Sequence, residues 1–98
     1  SLSEELFKED ALVFKNLKSD SITLKSRKGN KSVMMKFTGF PYYGIWSKPE
    51  GGAPFICLEP WYGVADKIDD KKDFSQKEGI NLLTPGETFA CQYSITIR

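Results

Sequence analysis

Phe55-Ile-Cys-Leu-Glu-Pro-Trp-Tyr-Gly-Val-Ala-Asp66 carries a carboxylate to the end of an apolar run and follows it with an aromatic pair. Phe55 to Leu58 has the pattern of a short strand buried on both faces. Side chains alternate along a strand, so Glu59 shares a face with Phe55 and Cys57. A carboxylate so placed must be paired, hydrogen-bonded or neutralised, and such groups concentrate where chemistry is done. Pro60 confines Glu59 to extended backbone angles and has no N–H to continue a ladder. The strand is therefore expected to stop there, with Glu59 held at its lip.

Outward from this stretch, nearly everything reads as short strand and turn. Ala11 to Leu17 is apolar enough for a central strand. Ser21 to Ser26 alternates with Ile22 and Leu24 inward, and Lys31 to Thr38 returns with Val33, Met35 and Phe37 on one face. With Arg27-Lys-Gly-Asn30 between them, these two form a hairpin. Tyr42 to Ser47 is the next strand, and Lys48 to Ala53, with Pro49, Gly51 and Gly52, is a flexible loop. At the end of the chain Phe89, Cys91, Tyr93, Ile95 and Ile97 alternate with Ala90, Gln92, Ser94, Thr96 and Arg98, the signature of a half-buried antiparallel strand. Thr84-Pro-Gly-Glu87 before it suits a type II turn. The fold class is all-β, an antiparallel β-sandwich.

Two segments do not fit that pattern. Ser1 to Asp10 offers Ser3 as an N-cap, Glu4 and Glu5 in a first turn, and Leu6 with Phe7 to bury, which suits a short helix or turn. Asp66 to Glu78 holds the run Asp69, Asp70, Lys71, Lys72 and Asp73, a solvated loop or helical turn. Acids mixed with lysines lack the oxygen-rich spacing of a calcium loop.

The formal net charge of +1 leaves no electrostatic footprint for nucleic acid or an anionic membrane. No apolar run approaches the ~18 residues of a transmembrane helix, and no charged-then-apolar leader opens the sequence. Cys57 and Cys91 each fall on the apolar side of an expected strand, where free cysteine behaves as a small buried hydrophobe. Their spacing excludes a local zinc or redox motif. Reduced cysteines point to the cytoplasm.

Tyr42-Tyr-Gly-Ile-Trp-Ser-Lys-Pro49, Cys57-Leu-Glu-Pro60, Trp61-Tyr-Gly-Val-Ala-Asp66, Lys77-Glu-Gly79 and Leu83-Thr-Pro-Gly-Glu87, in that order, carry a resemblance. From about Leu6 to the last strand the chain resembles the C-terminal part of an aldose 1-epimerase (galactose mutarotase) family protein, nearest the bacterial branch found beside sugar-utilisation genes. The resemblance implies a galactose-mutarotase-like supersandwich, with residues 1–98 an incomplete C-terminal part of one domain. It implies Glu59 as catalytic base and a free aldose as substrate. The family's acid and substrate-orienting groups are histidines, and this chain of 98 residues has none. The piece is thus expected to pair with the remainder of a longer polypeptide. Alone it is expected to be inactive and to self-associate through open sheet edges.

The remaining candidates have structural readings beside the functional ones. Glu59 could instead be salt-bridged to a lysine at the sheet end. Trp61 and Tyr62 offer rings for the apolar face of a pyranose, or packing; for Trp46 packing is the better reading. Asp10, just before Ala11-Leu-Val-Phe14, resembles the family's sugar-hydroxyl-binding aspartate, although aspartate also terminates strands well. Asp66 reads as a turn former. Anomer exchange needs one base and one acid, with no redox change, so no metal or organic cofactor is implied. Two rivals remain: a non-catalytic carbohydrate-binding β-sandwich, and a hexose-6-phosphate 1-epimerase, which would need an arginine cluster for the phosphate.

Overall fold

The computed structural model describes residues 1–52, 54–68 and 73–98. Six strands follow in chain order: β1 (Leu12–Lys15), β2 (Ser21–Lys25), β3 (Ser32–Lys36), β4 (Tyr42–Trp46), β5 (Cys57–Trp61) and β6 (Ser94–Ile97). They make two antiparallel three-stranded sheets, ordered β1-β4-β5 and β2-β3-β6. The all-β, antiparallel expectation is met. Single 3-10 turns at Glu4–Phe7 and Phe74–Gln76 are the only helical elements among the described residues. Ser3 stands at the N-cap of the first without a side-chain capping bond, and Phe7 below it is buried.

The expected hairpin is present. β2 and β3 pair from Ser21 opposite Lys36 to Lys25 opposite Ser32, and the Ser26 N–H closes the loop on the Lys31 carbonyl at 3.0 Å. Ile22, Leu24, Val33 and Met35 fall on one face of this sheet, as their period-2 spacing requires. The type II turn also forms: Gly86 takes φ +87°, and the Glu87 N–H reaches the Thr84 carbonyl at 3.0 Å.

The core joins the middle strands of the two sheets. Tyr43 of β4 is 0% exposed and packs with Met35 and Phe37, flanked by Ile22, Ile45 and Leu58. Its ring lies 4.4 Å from that of Phe37, and its hydroxyl donates to the Met35 sulfur at 3.3 Å. Removal from water, with the Glu59 carboxylate nearby, pushes the Tyr43 phenol up to about 12.

Five expectations need correction. The Ala11–Leu17 strand is shorter, β1, and lies at an edge of its sheet rather than in the centre; β4 is the central strand. It is β4, with Tyr42, Tyr43 and Gly44 all buried, that is covered on both faces. β5 is half-buried throughout and Phe55 before it is exposed, because an edge strand has a neighbour on one side only. β5 also runs through Pro60, which stands opposite Tyr43, as far as Trp61. Alternate backbone nitrogens of an edge strand point away from the neighbour, so proline is tolerated there.

The C-terminal strand begins at Ser94, leaving Phe89 to Tyr93 outside it. Ile95 and Ile97 stand opposite Met35 and Val33, on the core side of their sheet, yet they are 53% and 79% exposed. The other sheet does not extend over them. Cys91 is likewise exposed rather than buried; it and Cys57 are free thiols. Ala53 of the expected loop and Asp69 to Lys72 of the charged run lie outside the described residues.

The Tyr43 phenol sets an alkaline limit on stability. Its ordinary value near 10 is raised to about 12 on folding, so the contribution is complete below pH 10 and is lost as pH rises through 12. Denaturant unfolding should show a fall of about 2–3 kcal/mol across that interval. Tyr43→Phe should flatten that part of the profile, and an unchanged slope in the variant would remove Tyr43 as its cause.

Candidate functional site

The parity that turns Tyr43 inward turns its neighbours outward. On the sheet β1-β4-β5 the outer face carries Val13 and Lys15, then Tyr42, Gly44 and Trp46, then Cys57, Glu59 and Trp61. Val13, Gly44 and Glu59 stand in one row across the three strands. Glu59 shares its face with Cys57, as expected, and has Gly44 as its direct cross-strand partner.

Trp61 lies on the same face, two residues beyond Glu59. Its indole leans across Gly44: a Cβ added to that glycine would meet Trp61 Cζ2 at 2.5 Å and Cε2 at 2.8 Å. From there the indole Nε1–H donates to Glu59 Oε2 at 3.0 Å. Among the described residues the partner of Glu59 is therefore a tryptophan and not a lysine, and none of them donates to Oε1. A half-buried carboxylate with one oxygen held and the other open can accept a proton from a bound hydroxyl.

Beyond Trp61 the chain folds back over the outer face. An ideal Cβ at Gly79, where φ is +78°, would come within 3.0 Å of the Tyr62 carbonyl and 3.2 Å of Tyr42 Cε2, so only glycine fits this return. Lys15 pairs with Glu78, and Lys77 with Asp66 at 2.9 Å. Lys77 also helps to wall a cleft of about 500 Å³, together with Trp61, Tyr62, Val64, Phe74 and Ile80. A smaller groove of about 250 Å³, between Phe7, Ser47, Lys48 and Phe55, lies at the far end of β4, and Glu59 lines neither of the two: Trp61 is what joins it to the cleft.

Glu59 and Trp61 are thus brought together. Tyr62 has its ring in an aromatic cluster, 4.7 Å from Phe40 and 4.8 Å from Phe89, although it also borders the cleft. Asp10 precedes β1, two strands from Glu59. Its carboxylate accepts from the Ala11 N–H at 2.7 Å, and its φ of 109° is one that non-glycine residues rarely adopt. Trp46 lies on the Glu59 face, with its ring 5.9 Å from that of Phe55. Asp66 ties down Lys77. No cluster of three or more His, Cys, Asp or Glu residues able to hold a metal occurs among the described residues. No described helix is long and apolar enough to cross a membrane. Arg27 reaches Ser1, and Arg98 follows β6; neither stands on the sheet of Glu59.

Gly44, which lies under the Trp61 ring and opposite Glu59, is the position of this candidate site that the sequence reading missed. Its signal is a glycine inside Tyr42-Tyr-Gly-Ile-Trp46, since glycine in a strand interior marks close approach by another group.

No protein-family model matches the chain. It is 36% identical over 96 residues to the chromosomal and plasmid forms of Protein LacX from Lactococcus lactis subsp. lactis, covering 98% of this chain and 32% of each relative. Its fold is similar to that of a galactose mutarotase related enzyme from Lactobacillus acidophilus, with a TM-score of 0.90 and 35% identity over 100% of this chain and 33% of that one. The chain spans about a third of the length of the proteins it matches.

Gly44→Ala tests the close approach of the indole. The added methyl is expected to displace Trp61, costing about 1–3 kcal/mol in denaturant unfolding and shifting the tryptophan fluorescence. Unaltered stability and emission would mean that the ring is not seated over Gly44.

Proposed function

We propose that this chain is part of an aldose 1-epimerase, with Glu59 as the general base that opens the ring of a free sugar. The observation that carries the reading is the Glu59 carboxylate itself. It lies on the outer face beside a cleft-lining tryptophan, with Oε2 held at 3.0 Å by Trp61 and with no donor to Oε1 among the described residues. Similarity to a galactose mutarotase related enzyme supports a small sugar as the ligand.

In this reading Oε1 takes the proton of the anomeric hydroxyl. The electron pair left on that oxygen forms the C=O bond, the bond from the anomeric carbon to the ring oxygen breaks, and the ring oxygen receives a proton from an acid. Rotation about the adjacent C–C bond presents the other carbonyl face. Closure with the two protons returned gives the opposite anomer. The sugar is neither oxidised nor reduced, so a base and an acid suffice.

The acid is supplied from outside these 98 residues, in keeping with a family whose acid is a histidine. Residues 1–98 are then the C-terminal part of one larger domain. The cleft bounded by Trp61 and Tyr62 receives the apolar face of the sugar ring, while Asp10 is held in reserve for a hydroxyl on the far side of the sheet.

In the full-length polypeptide, Glu59→Gln keeps the shape and the bond from Trp61 but cannot accept a proton. Mutarotation of a free aldose, followed by polarimetry, should fall about a hundredfold or more. Activity within a few fold of the parent would remove Glu59 as base. Sugar binding without any mutarotation in the parent would instead favour a carbohydrate-binding protein.

A further inference from the structure

We propose that Trp61 is a positioning residue for Glu59, and that the absence of a side chain at Gly44 is what lets it act. This rests on the reading of Glu59 as base and adds to it a second residue that acts through the first. Among the described residues Glu59 is held by the ladder on the β4 side, and a glutamate has three rotatable side-chain bonds with which to leave a productive position. Trp61 has two, and its large ring is confined by the surface it covers. A carboxylate bonded to such a ring loses much of the freedom that would otherwise spread it over many orientations.

Direction also matters. The indole N–H donates and cannot accept, so it engages a carboxylate oxygen without competing for the proton that the base must take. It occupies Oε2 and leaves Oε1 for the substrate. Gly44 completes the arrangement. It lies directly across from Glu59, and any Cβ there would fall within 2.5 Å of the indole. The ring can therefore bridge from its own backbone over β4 and back to Glu59 only because the position between them is empty. Small misplacement of a catalytic group has large kinetic effects, up to about a hundredfold for an ångström.

The test replaces Trp61 in the full-length polypeptide with 3-benzothienylalanine, which keeps the bicyclic shape and exchanges the N–H for sulfur. The expected result is a fall in kcat of about ten- to a hundredfold, with KM within about twofold and an unchanged Tm. An unchanged kcat would overturn the proposal. So would a raised KM at constant kcat, which would leave Trp61 acting on sugar binding alone and not through Glu59. A readout independent of turnover is the Trp61 indole N–H resonance, assigned with Trp61→Phe. It should move with the ionisation of one carboxylate, and that movement should vanish in Glu59→Gln; a resonance indifferent to Glu59 sinks the contact itself. The two readings fail separately. If Glu59→Gln stays active, the base is wrong, whereas an inactive Glu59→Gln beside a fully active benzothienyl variant leaves the base and removes only the positioning role.

Discussion

The contact on which the arrangement depends is Tyr43 against Met35 and Phe37. It joins the central strand of one sheet to the central strand of the other, and it fixes which side of β4 is inside. Side chains alternate with a period of two, so a slip of one residue would send the whole outer set to the core. With Tyr43 inward, Gly44 must point outward, and the register of β5 places Glu59 opposite it. The hydrophobic core thus decides the address of a carboxylate it never touches.

The two faces of that sheet meet different demands. Inward, Tyr43, Ile45 and Leu58 supply apolar bulk where water is excluded. Outward, the same strands need a surface that carries Glu59 in a defined orientation and leaves room beside it. Gly44 serves the second demand at some cost to the first, since glycine in a strand sacrifices conformational entropy and packing. Its neighbours offset that cost: Tyr43 is completely buried, and Tyr42 is covered by the returning segment at Gly79.

Much of this was legible in the sequence. Strict alternation over Ser21–Ser26 and Lys31–Thr38 specifies the β2–β3 hairpin, and Thr84-Pro-Gly-Glu87 specifies the type II turn that precedes the C-terminal strand. Glu59 stands out because a carboxylate rarely closes an apolar run. Strand order is what local pattern does not contain. Apolar composition made Ala11–Leu17 read as central and Phe55–Leu58 as doubly buried, whereas position in the sheet is decided by pairing between distant segments. The same holds for Phe89 to Ile97, whose alternation identifies an apolar face but says nothing of whether another sheet reaches it. The bond from Trp61 to Glu59 was hidden for a related reason. Spacing puts both on one face, but only the glycine on the neighbouring strand lets the ring lie down toward the carboxylate.

Among the described residues β5 is an edge strand, an unpromising place for a group that must be held still, because its ladder has a neighbour on one side only. Three local features compensate in β5. Pro60 restricts its own backbone and that of Glu59 before it, removing freedom through the chain itself. Pairing of Gly44 with Glu59 fixes the backbone from the side. The indole of Trp61 then fixes the carboxylate from above. Each acts on a different degree of freedom, so none substitutes for another. A carboxylate at the open side of a sheet can in this way be both accessible to a ligand and confined in orientation, which the middle of a fully paired sheet would allow only at the expense of access.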